Sequence, residues 1–519
     1  MPINVSMLIP EDDSVRLLSQ IVEELDLDDL ILAYSSQGRN PAVPPRIMLK
    51  IMLYAYMNRV YSSREIESRC RRDINFMWLL EGYASPDHNT ISRFRKDRLN
   101  GKLEPLFDQF IIRLHEEREV LFENVFIDGT KIEANANKYS FVWKKTTEKL
   151  EARLPEKTKT LLENINTEFG TCFTLNEDDA SLDVLRYAAA YLTEKKMSLG
   201  ITFVQGIGKR KTELQRLTEQ VLDILEKKER YQDYMDTFNG RNSFSKTDRD
   251  ATFMHMKEDY MRNAQLKPGY NFQIAVENGY VVGFDISEER NDIYTLIPML
   301  EKLEKNFPSS KFQNIVCDAG YESEENYNYL DKNDYNSFIK PVNYEQQKKK
   351  SYKQWVGRSE NMTYDHENDE YICAKGRRLK PIYETVDRGR RSKFERMLTV
   401  YECENCSRCG FKAKCKKSKG NKRIQVSKKF KAYRELSLSN ITSENGILLR
   451  VNRSIQVEGA FAMMKEDYGF RRFLTRGKEN VYIESMLMCF SFNVNRLYNK
   501  IMGRGNREEL YQPQNIKVA

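Results

Sequence analysis

The sequence has no long hydrophobic run. No window reaches the ~18 consecutive apolar residues that a membrane-spanning helix needs, so the sequence predicts neither a membrane span nor a membrane partner. The first residues, MPINVSMLIPEDDSV, also lack a basic stretch followed by a long apolar run, which argues against a secretory signal peptide. We therefore expect a cytoplasmic protein.

The charge of the chain is unevenly distributed. The 519 residues are 40% hydrophobic and 31% charged, which suits about three or four globular units with charged surfaces. The formal net charge is only +8, yet residues 371–430 hold 19 Lys or Arg against 5 Asp or Glu. This segment predicts a polyanionic partner, and a solvated charged surface is the alternative.

Five of the nine cysteines crowd into the same basic region. Their spacing is Cys403-x2-Cys406-x2-Cys409-x5-Cys415, with Cys373 thirty residues earlier. In a cytosolic protein such crowding favours a metal site over disulfides, and thiolates at these spacings suit tetrahedral zinc. Four ligands are needed, so Cys373 is an alternative ligand. A reduced, metal-free loop is the other interpretation.

The N-terminal region, 1–115, is predicted to be a helical DNA-binding domain. Ser62-Ser63 precede a predicted helix from Arg64 to Phe76, and a break at 85–87 precedes another helix that carries Arg93 and Arg95. Residues 41–100 contain 11 basic and 6 acidic residues. Short basic helices with tight breaks fit a helix-turn-helix module, and a plain helical bundle fits them equally well.

Two apolar strand patterns each end in an aspartate. Asp128 follows the first and precedes Gly129, and Asp318 follows the second and precedes Ala-Gly. Ligand sites in α/β sheets gather at the carboxyl ends of strands, and paired carboxylates there suit Mg²⁺. Each motif alone is weak, because Asp and Gly are ordinary turn residues.

These strands alternate with helices, which predicts an α/β fold: a mixed sheet with flanking helices. The core is expected at 116–343 and 441–505. A helical insertion at about 145–240 interrupts it, where Leu214, Leu217, Val221 and Ile224 follow a packed-helix spacing. A basic, cysteine-rich insertion is expected at 344–440.

A helix is predicted from Ser454 to Tyr468, and it carries Glu458 and Lys465. The two residues are seven positions apart, so they share one side of a regular helix. A carboxylate and an ammonium there could hold a metal and a phosphate. From this helix alone, a solvated face is the simpler interpretation.

Three ordered segments resemble those of insertion-sequence transposases of the DDE class. Phe126–Lys145 resembles their first-aspartate segment, and Cys317–Tyr321 resembles the second. Val457–Lys465, followed by Gly469–Gly477, resembles their glutamate segment, and Pro44–Lys96 resembles their helical DNA-binding region. The likeness runs over most of the chain.

The resemblance implies an RNase H-like core in which Asp128, Asp318 and Glu458 form the catalytic triad. It implies two Mg²⁺ or Mn²⁺ ions, cleavage of transposon ends, and joining of those ends to target DNA. The partner is then double-stranded DNA bound by a homodimer near the nucleoid. Related enzymes carry an arginine where this chain has Ser454, so the neighbouring Arg453 is assigned that role. Arg93, Arg95, Arg453 and Lys465 are the expected DNA contacts.

Two other functions fit the same residues. One is an RNase H-like nuclease that cuts DNA without strand transfer. The other is an inactive, zinc-containing DNA-binding regulator. Metal-dependent cleavage separates an enzyme from a regulator, and joining to a second DNA separates a transposase from a nuclease.

Overall fold

The computed structural model describes residues 5–34, 41–175, 182–206, 208–256, 264–389 and 393–504. The chain divides into two compact units. The larger is formed by Met1–Ala134 with Tyr270–Ala519, and the smaller by Asn135–Gly269. Within the described ranges, no helix is both long enough and apolar enough to cross a bilayer.

The N-terminal part of the larger unit is helical, as predicted. Its helices are α1 (Ser14–Glu24), α2 (Asp28–Leu32), α3 (Pro45–Met57), α4 (Ser63–Arg72), α5 (Ile74–Leu79), α6 (His88–Arg93) and α7 (Leu103–Glu116), with a 3-10 turn at Val5–Leu8 and a π-helical turn at Phe94–Arg98. The helix expected from Arg64 to Phe76 is divided in two. Asp73 adopts an extended conformation and accepts the Asn75 N–H, which ends α4 and caps α5. The helix-turn-helix arrangement stays a prediction.

A mixed sheet forms the centre of the larger unit. The strands up to residue 339 are β1 (Asn124–Glu133), β2 (Phe141–Trp143), β3 (Ser243–Ser245), β4 (Thr252–His255), β5 (Leu266–Glu277), β6 (Tyr280–Ser287), β7 (Asn314–Cys317) and β8 (Asn336–Ile339). Five of them are ordered β6-β5-β1-β7-β8. β1, β7 and β8 are parallel, whereas β5 and β6 form an antiparallel hairpin. The α/β class predicted from the sequence is therefore confirmed.

The smaller unit is mostly helical. It contains α8 (Lys144–Glu151), α9 (Leu154–Phe169), α10 (Leu182–Ser198) and α11 (Glu213–Phe238). The four apolar residues with packed-helix spacing on α11 are all buried in one cluster with side chains of α9 and α10. β2 pairs with β3, and β4 pairs with the first residues of β5.

Two helices join the later strands of the central sheet. α12 (Leu296–Asn306) lies between β6 and β7 and is preceded by a 3-10 turn at Asp292–Tyr294. α13 (Glu324–Lys332) lies between β7 and β8 and is preceded by a 3-10 turn at Ala319–Tyr321. Glu277 fixes the start of β1, since its carboxylate accepts the backbone N–H groups of residues 121–124.

The cysteine-rich region forms a second sheet, which the sequence did not predict. After α14 (Tyr344–Gln347) and α15 (Lys350–Lys353) come β9 (Thr363–Asp365), β10 (Glu370–Ile372), β11 (Arg378–Arg388), β12 (Glu395–Cys403), α16 (Lys412–Cys415) and β13 (Arg423–Val426). The five strands are antiparallel in the order β13-β12-β11-β10-β9. Their apolar core is small, and two of its seven buried residues are Cys403 and Cys406.

The chain closes with helices packed on the central sheet. They are α17 (Lys428–Thr442), α18 (Glu444–Arg453), α19 (Gly459–Ala462) and α20 (Lys478–Ile501), with π-helical turns at Ser454–Glu458 and Met463–Asp467. The helix predicted from Ser454 to Tyr468 is therefore largely π-helical. α20 is buried against α3 and β6, where its Asn493 bonds both the N–H and the carbonyl of Val281.

Candidate active site

Asp128 and Asp318 lie close together on neighbouring parts of the central sheet. The buried residues Val125–Ile127 precede Asp128 on β1, and Asp318 directly follows the end of β7. β1 and β7 are parallel, and their pairing ends with Ile127 opposite Cys317. The two carboxylates therefore lie next to each other, where the pairing of β1 with β7 ends. Asp318 follows a strand end as predicted, but the strand end predicted at Asp128 is wrong, because β1 continues through Asp128 to Glu133.

A glycine beside each aspartate allows this arrangement. The Gly129 N–H donates to Asp128 Oδ1 at 2.8 Å, and the Gly320 N–H donates to Asp318 Oδ1 at 2.7 Å. A Cβ on Gly129 would lie 1.9 Å from Gln273 Nε2 on β5, and a Cβ on Gly320 would lie 2.9 Å from Asp318 Oδ1. Any larger residue would displace the side chains that form the site.

Arg453 connects Glu458 to Asp128. Its Nη1 lies 3.0 Å from Asp128 Oδ2, and its Nη2 lies 3.1 Å from Glu458 Oε1. Burial lowers the pKa of Arg453, but the carboxylates of Asp128, Asp318 and Glu458 outweigh that effect and leave the pKa above its usual value. The guanidinium is therefore charged and bridges Asp128 and Glu458, two of the three carboxylates expected to form a triad.

A π-helical turn explains why Arg453 reaches Glu458. The turn Ser454–Glu458 lies directly between them, and a π-helix brings residues five apart into register. In a regular α-helix, the residue four before Glu458 would face it, and that residue is Ser454. Here Ser454 Oγ also lies 3.3 Å from Glu458 Oε1. Arg453 thus reaches Glu458 across the π-helical turn, although it is five residues before Glu458 and not four.

Asp292, which the sequence did not single out, also lies at this site. Its Oδ1 accepts from Asn271 Nδ2 at 2.7 Å and from Gln273 Nε2 at 2.9 Å. A Cβ on Gly129 would lie 2.8 Å from Asp292 Oδ1, and a Cβ on Gly320 would lie 3.5 Å from its Oδ2. One signal was present: two amide residues alternate within the otherwise apolar strand β5, and buried amides need polar partners.

Tyr321 orients one of these amides. The tyrosine is fully buried, and its hydroxyl donates to Gln273 Oε1. Burial raises the pKa of Tyr321 well above its usual value, and the nearby carboxylates of Asp292 and Asp128 raise it further. The hydroxyl therefore keeps its proton and holds the Gln273 amide nitrogen toward Asp292.

The donor atoms of this site fit a hard divalent cation, because carboxylate oxygens are the ligands that Mg²⁺ prefers. The Arg453 guanidinium already places positive charge between two of these carboxylates. In the part of the chain that the structure describes, no three or more His, Cys, Asp or Glu side chains are grouped so as to hold a metal ion. A cation bound by these carboxylates would displace Arg453 from between Asp128 and Glu458, and the carboxylates would move closer together.

The expected DNA contacts differ in exposure. Arg93 is exposed at the end of α6. Arg95 is only 7% exposed, and its Nη2 donates to the Tyr61 carbonyl at 2.8 Å, so its guanidinium faces the protein interior. Lys465 is 8% exposed and lies on the second π-helical turn. Of these three, only Arg93 presents its charge to solvent.

All five clustered cysteines line one small cavity. Cys373, the expected alternative ligand, lies there with Cys403, Cys406, Cys409 and Cys415. The Lys422 N–H lies 3.2 Å from Cys406 Sγ, and burial raises the pKa of Cys403 to about 12. The cavity lining also includes basic side chains, among them Lys375 and Lys412. The structure thus brings the predicted ligands together without drawing them into a coordination shell.

Comparison with known families gives two matches. Residues 372–498 match the model of a transposase DDE domain, and residues 3–97 match that of a transposase domain described as DUF772. The first match contains Glu458, Arg453 and the clustered cysteines, and the second contains Arg93. Asp128 and Asp318 lie outside both. No curated protein and no solved structure matches the chain.

Proposed function

We propose that the chain, which matches the models of a transposase DDE domain and of a second transposase domain, binds the terminal inverted repeats of an insertion sequence, cleaves them and joins them to target DNA. The observation that carries this proposal is the convergence of the triad. Asp128 and Asp318 lie close together on neighbouring parts of the central sheet, and Arg453 links Glu458 to Asp128. We assign the sheet to the RNase H-like class, and its parallel strands beside an antiparallel hairpin support that assignment.

The triad residues are the ones that would hold two Mg²⁺ or Mn²⁺ ions. When bound, such ions activate a water or a DNA 3′-hydroxyl and stabilise the leaving oxygen of an in-line displacement. The chain prepares this site itself. The N–H groups of Gly129 and Gly320 fix one oxygen of each aspartate, and Arg453 keeps Asp128 and Glu458 together beforehand. Once released from the carboxylates, Arg453 is free to contact a DNA phosphate.

The rest of the chain supplies DNA contacts in this proposal. Arg93 is the candidate for base contacts, since an exposed arginine on a short helix can pair with guanine in the major groove. Residues 371–430 supply general attraction to the phosphate backbone. Lys465, the other expected phosphate contact, is only 8% exposed and would have to become exposed before it could reach DNA. Inverted repeats are related by two-fold symmetry, so a homodimer fits both ends at once. Its substrate would place the protein in the cytoplasm with the nucleoid.

The cysteine cavity is proposed to hold one structural zinc. Five cysteines line one small cavity, and lysines beside it would offset the charge of a zinc–thiolate centre. The second sheet has only seven buried core residues, and domains with so small a core commonly need a metal or a disulfide. Elemental analysis should find about one zinc per chain. Freshly prepared, reduced protein without zinc would contradict this assignment.

The decisive experiment uses the DNA that flanks the gene. Labelled fragments bearing the candidate inverted repeats are incubated with the full chain and Mg²⁺, and both cleavage and joining to a second DNA are measured. Asp128→Asn, Asp318→Asn and Glu458→Gln should abolish cleavage while DNA binding persists. Each removes a carboxylate charge that would hold a cation and leaves the DNA-binding surface unchanged. A variant that cuts at the wild-type rate would contradict its place in the triad.

The two alternatives predict other outcomes of the same experiment. Cleavage without joining would indicate an RNase H-like nuclease. Specific binding with no cleavage in Mg²⁺ or Mn²⁺ would indicate a zinc-containing regulator. Cleavage followed by joining supports the transposase and excludes both.

A further inference from the structure

The two oxygens of Asp292 have different surroundings. Oδ1 accepts both amide hydrogen bonds, from Asn271 and Gln273, whose side chains are 1% and 0% exposed. Gln273 is itself held by Tyr321, which donates to its carbonyl oxygen. A carboxylate fixed through one oxygen by two buried donors keeps its orientation, and its second oxygen is left for another partner.

The second oxygen lies near Asp318. A Cβ on Gly320 would lie 3.5 Å from Asp292 Oδ2 and 2.9 Å from Asp318 Oδ1, so both carboxylates border the small space beside Gly320. Neither aspartate forms an ion pair with any residue that the structure describes. Arg453 is close enough to Asp318 for this carboxylate to raise the arginine's pKa. Asp292 forms no ion pair within the described residues, and two neighbouring carboxylates repel each other, which favours a cation between them.

We propose that Asp292 is a fourth carboxylate of the active site and helps to hold a divalent cation together with Asp318. This inference rests on the proposed function, because it takes the triad as the cation site. Asp292 enters from the turn before α12, and its amide partners come from β5. The turn before α12 would thus contribute a ligand to the cation site, although it contributes no residue to the triad.

The test is cation binding by the full chain, measured by isothermal titration with Ca²⁺ in the absence of DNA. Asp292→Asn is the matched variant, since its amide oxygen can still accept from both donors while the charge on the second oxygen is lost. Asp12→Asn is the control, the same substitution at an exposed turn. Asp292→Asn should weaken binding at least about tenfold, as losing a supporting group at a metal site does, and Asp12→Asn should leave it unchanged.

Asp318→Asn separates the inference from the function on which it rests. If Asp318→Asn weakens binding while Asp292→Asn binds like wild type, the fourth carboxylate is refuted and the triad is not. If neither variant changes binding, the proposed cation site itself is refuted. A second measurement applies even if Asp292→Asn is less stable. The rise in melting temperature on adding Mn²⁺, taken relative to each variant's own cation-free value, should be smaller in Asp292→Asn.

Cleavage against Mg²⁺ concentration gives a further check. Asp292→Asn should need more Mg²⁺ for half-maximal rate and should recover much of the wild-type rate at saturation. Triad variants should not recover at any concentration. An Asp292→Asn variant whose rate is low and independent of Mg²⁺ would contradict the cation role.

Discussion

Replacing Arg453 with alanine should destabilise the cation-free protein. The guanidinium lies 3.0 Å from Asp128, and the two side chains are each 16% exposed, whereas Glu458 is 58% exposed. Removing one partner of a buried pair costs about 3–5 kcal/mol, while an exposed pair contributes at most about 1 kcal/mol. Because the pair with Asp128 is partly screened, we expect a loss of about 2–3 kcal/mol.

The loss should appear as a lower melting temperature. Unfolding entropy is about 2.1 cal/mol/K per residue, or about 0.8 kcal/mol/K for a unit of roughly 400 residues, so the expected fall is about 3 °C. The assay is thermal unfolding in EDTA and again in millimolar Mg²⁺. Since the cation takes over the charge that Arg453 supplied, Mg²⁺ should narrow the gap between variant and wild type.

Two further variants make this result interpretable. Arg453→Lys keeps the charge but not the two-pronged geometry, so its melting temperature should be intermediate. Arg472→Ala removes an exposed arginine whose ion pair with Glu133 is 3.9 Å long, and it should change little. An unchanged midpoint for Arg453→Ala in EDTA would refute the bridging role. A loss that Mg²⁺ does not reduce would refute the idea that the guanidinium stands in for a cation.

Three other predictions concern sites away from Arg453. Cys406→Ser should lose bound zinc and lower the melting temperature of the reduced protein, and unchanged zinc content by elemental analysis would exclude Cys406 as a ligand. Burial, reinforced by the Glu104 carboxylate, raises the pKa of Asp108 to about 7, so the folded protein should lose stability as pH rises from about 4 to about 7. A rise of about three pKa units corresponds to about 4 kcal/mol, so Asp108→Asn should remove a loss of about that size. This would appear as a flatter plot of melting temperature against pH, and an equally steep plot would contradict the assignment. Arg93→Ala should weaken end-specific DNA binding by about 1–3 kcal/mol without changing stability, whereas the buried Arg95→Ala should lower stability, and the reverse pattern in binding and melting assays would contradict both.

The positions of the two aspartates could be predicted because their signals are local. Each follows a short run of apolar residues and precedes a glycine or Ala-Gly, and such patterns need no knowledge of distant contacts. The strand end predicted at Asp128 was nevertheless wrong, because β1 runs on to Glu133. Glu458 was different. Its helix alone favoured a solvated face, and only the resemblance of its segment to a known family assigned it a role. The two aspartates could therefore be predicted from the residue pattern alone, whereas Glu458 could not.

The contacts that complete the site depend on geometry that periodicity does not show. A π-helical turn contains one residue more than an α-helical turn. In a regular α-helix, the five-residue spacing of Arg453 and Glu458 would place them on different sides, but the π-helical turn brings their side chains together. Asp292 meets Asp318 only after β5, β1 and β7 assemble. Arg95 differs from its prediction in another way. Its charge indicated an exposed DNA contact, but tertiary packing buries the side chain.

The charges of the site indicate why a fourth carboxylate and one arginine belong together. Asp128, Asp318, Glu458 and Asp292 would carry four negative charges, and Arg453 carries one positive charge. Two divalent cations would leave the site with one positive charge, which matches the single negative charge of a phosphodiester. Without Asp292 the loaded site would exceed that charge by one, and without Arg453 the empty site would hold four carboxylates with no counterion. Buried like charges are costly unless they are paired. Arg453 would therefore limit the repulsion between the carboxylates before cations bind, and it would also contribute to the net charge of the site when DNA binds.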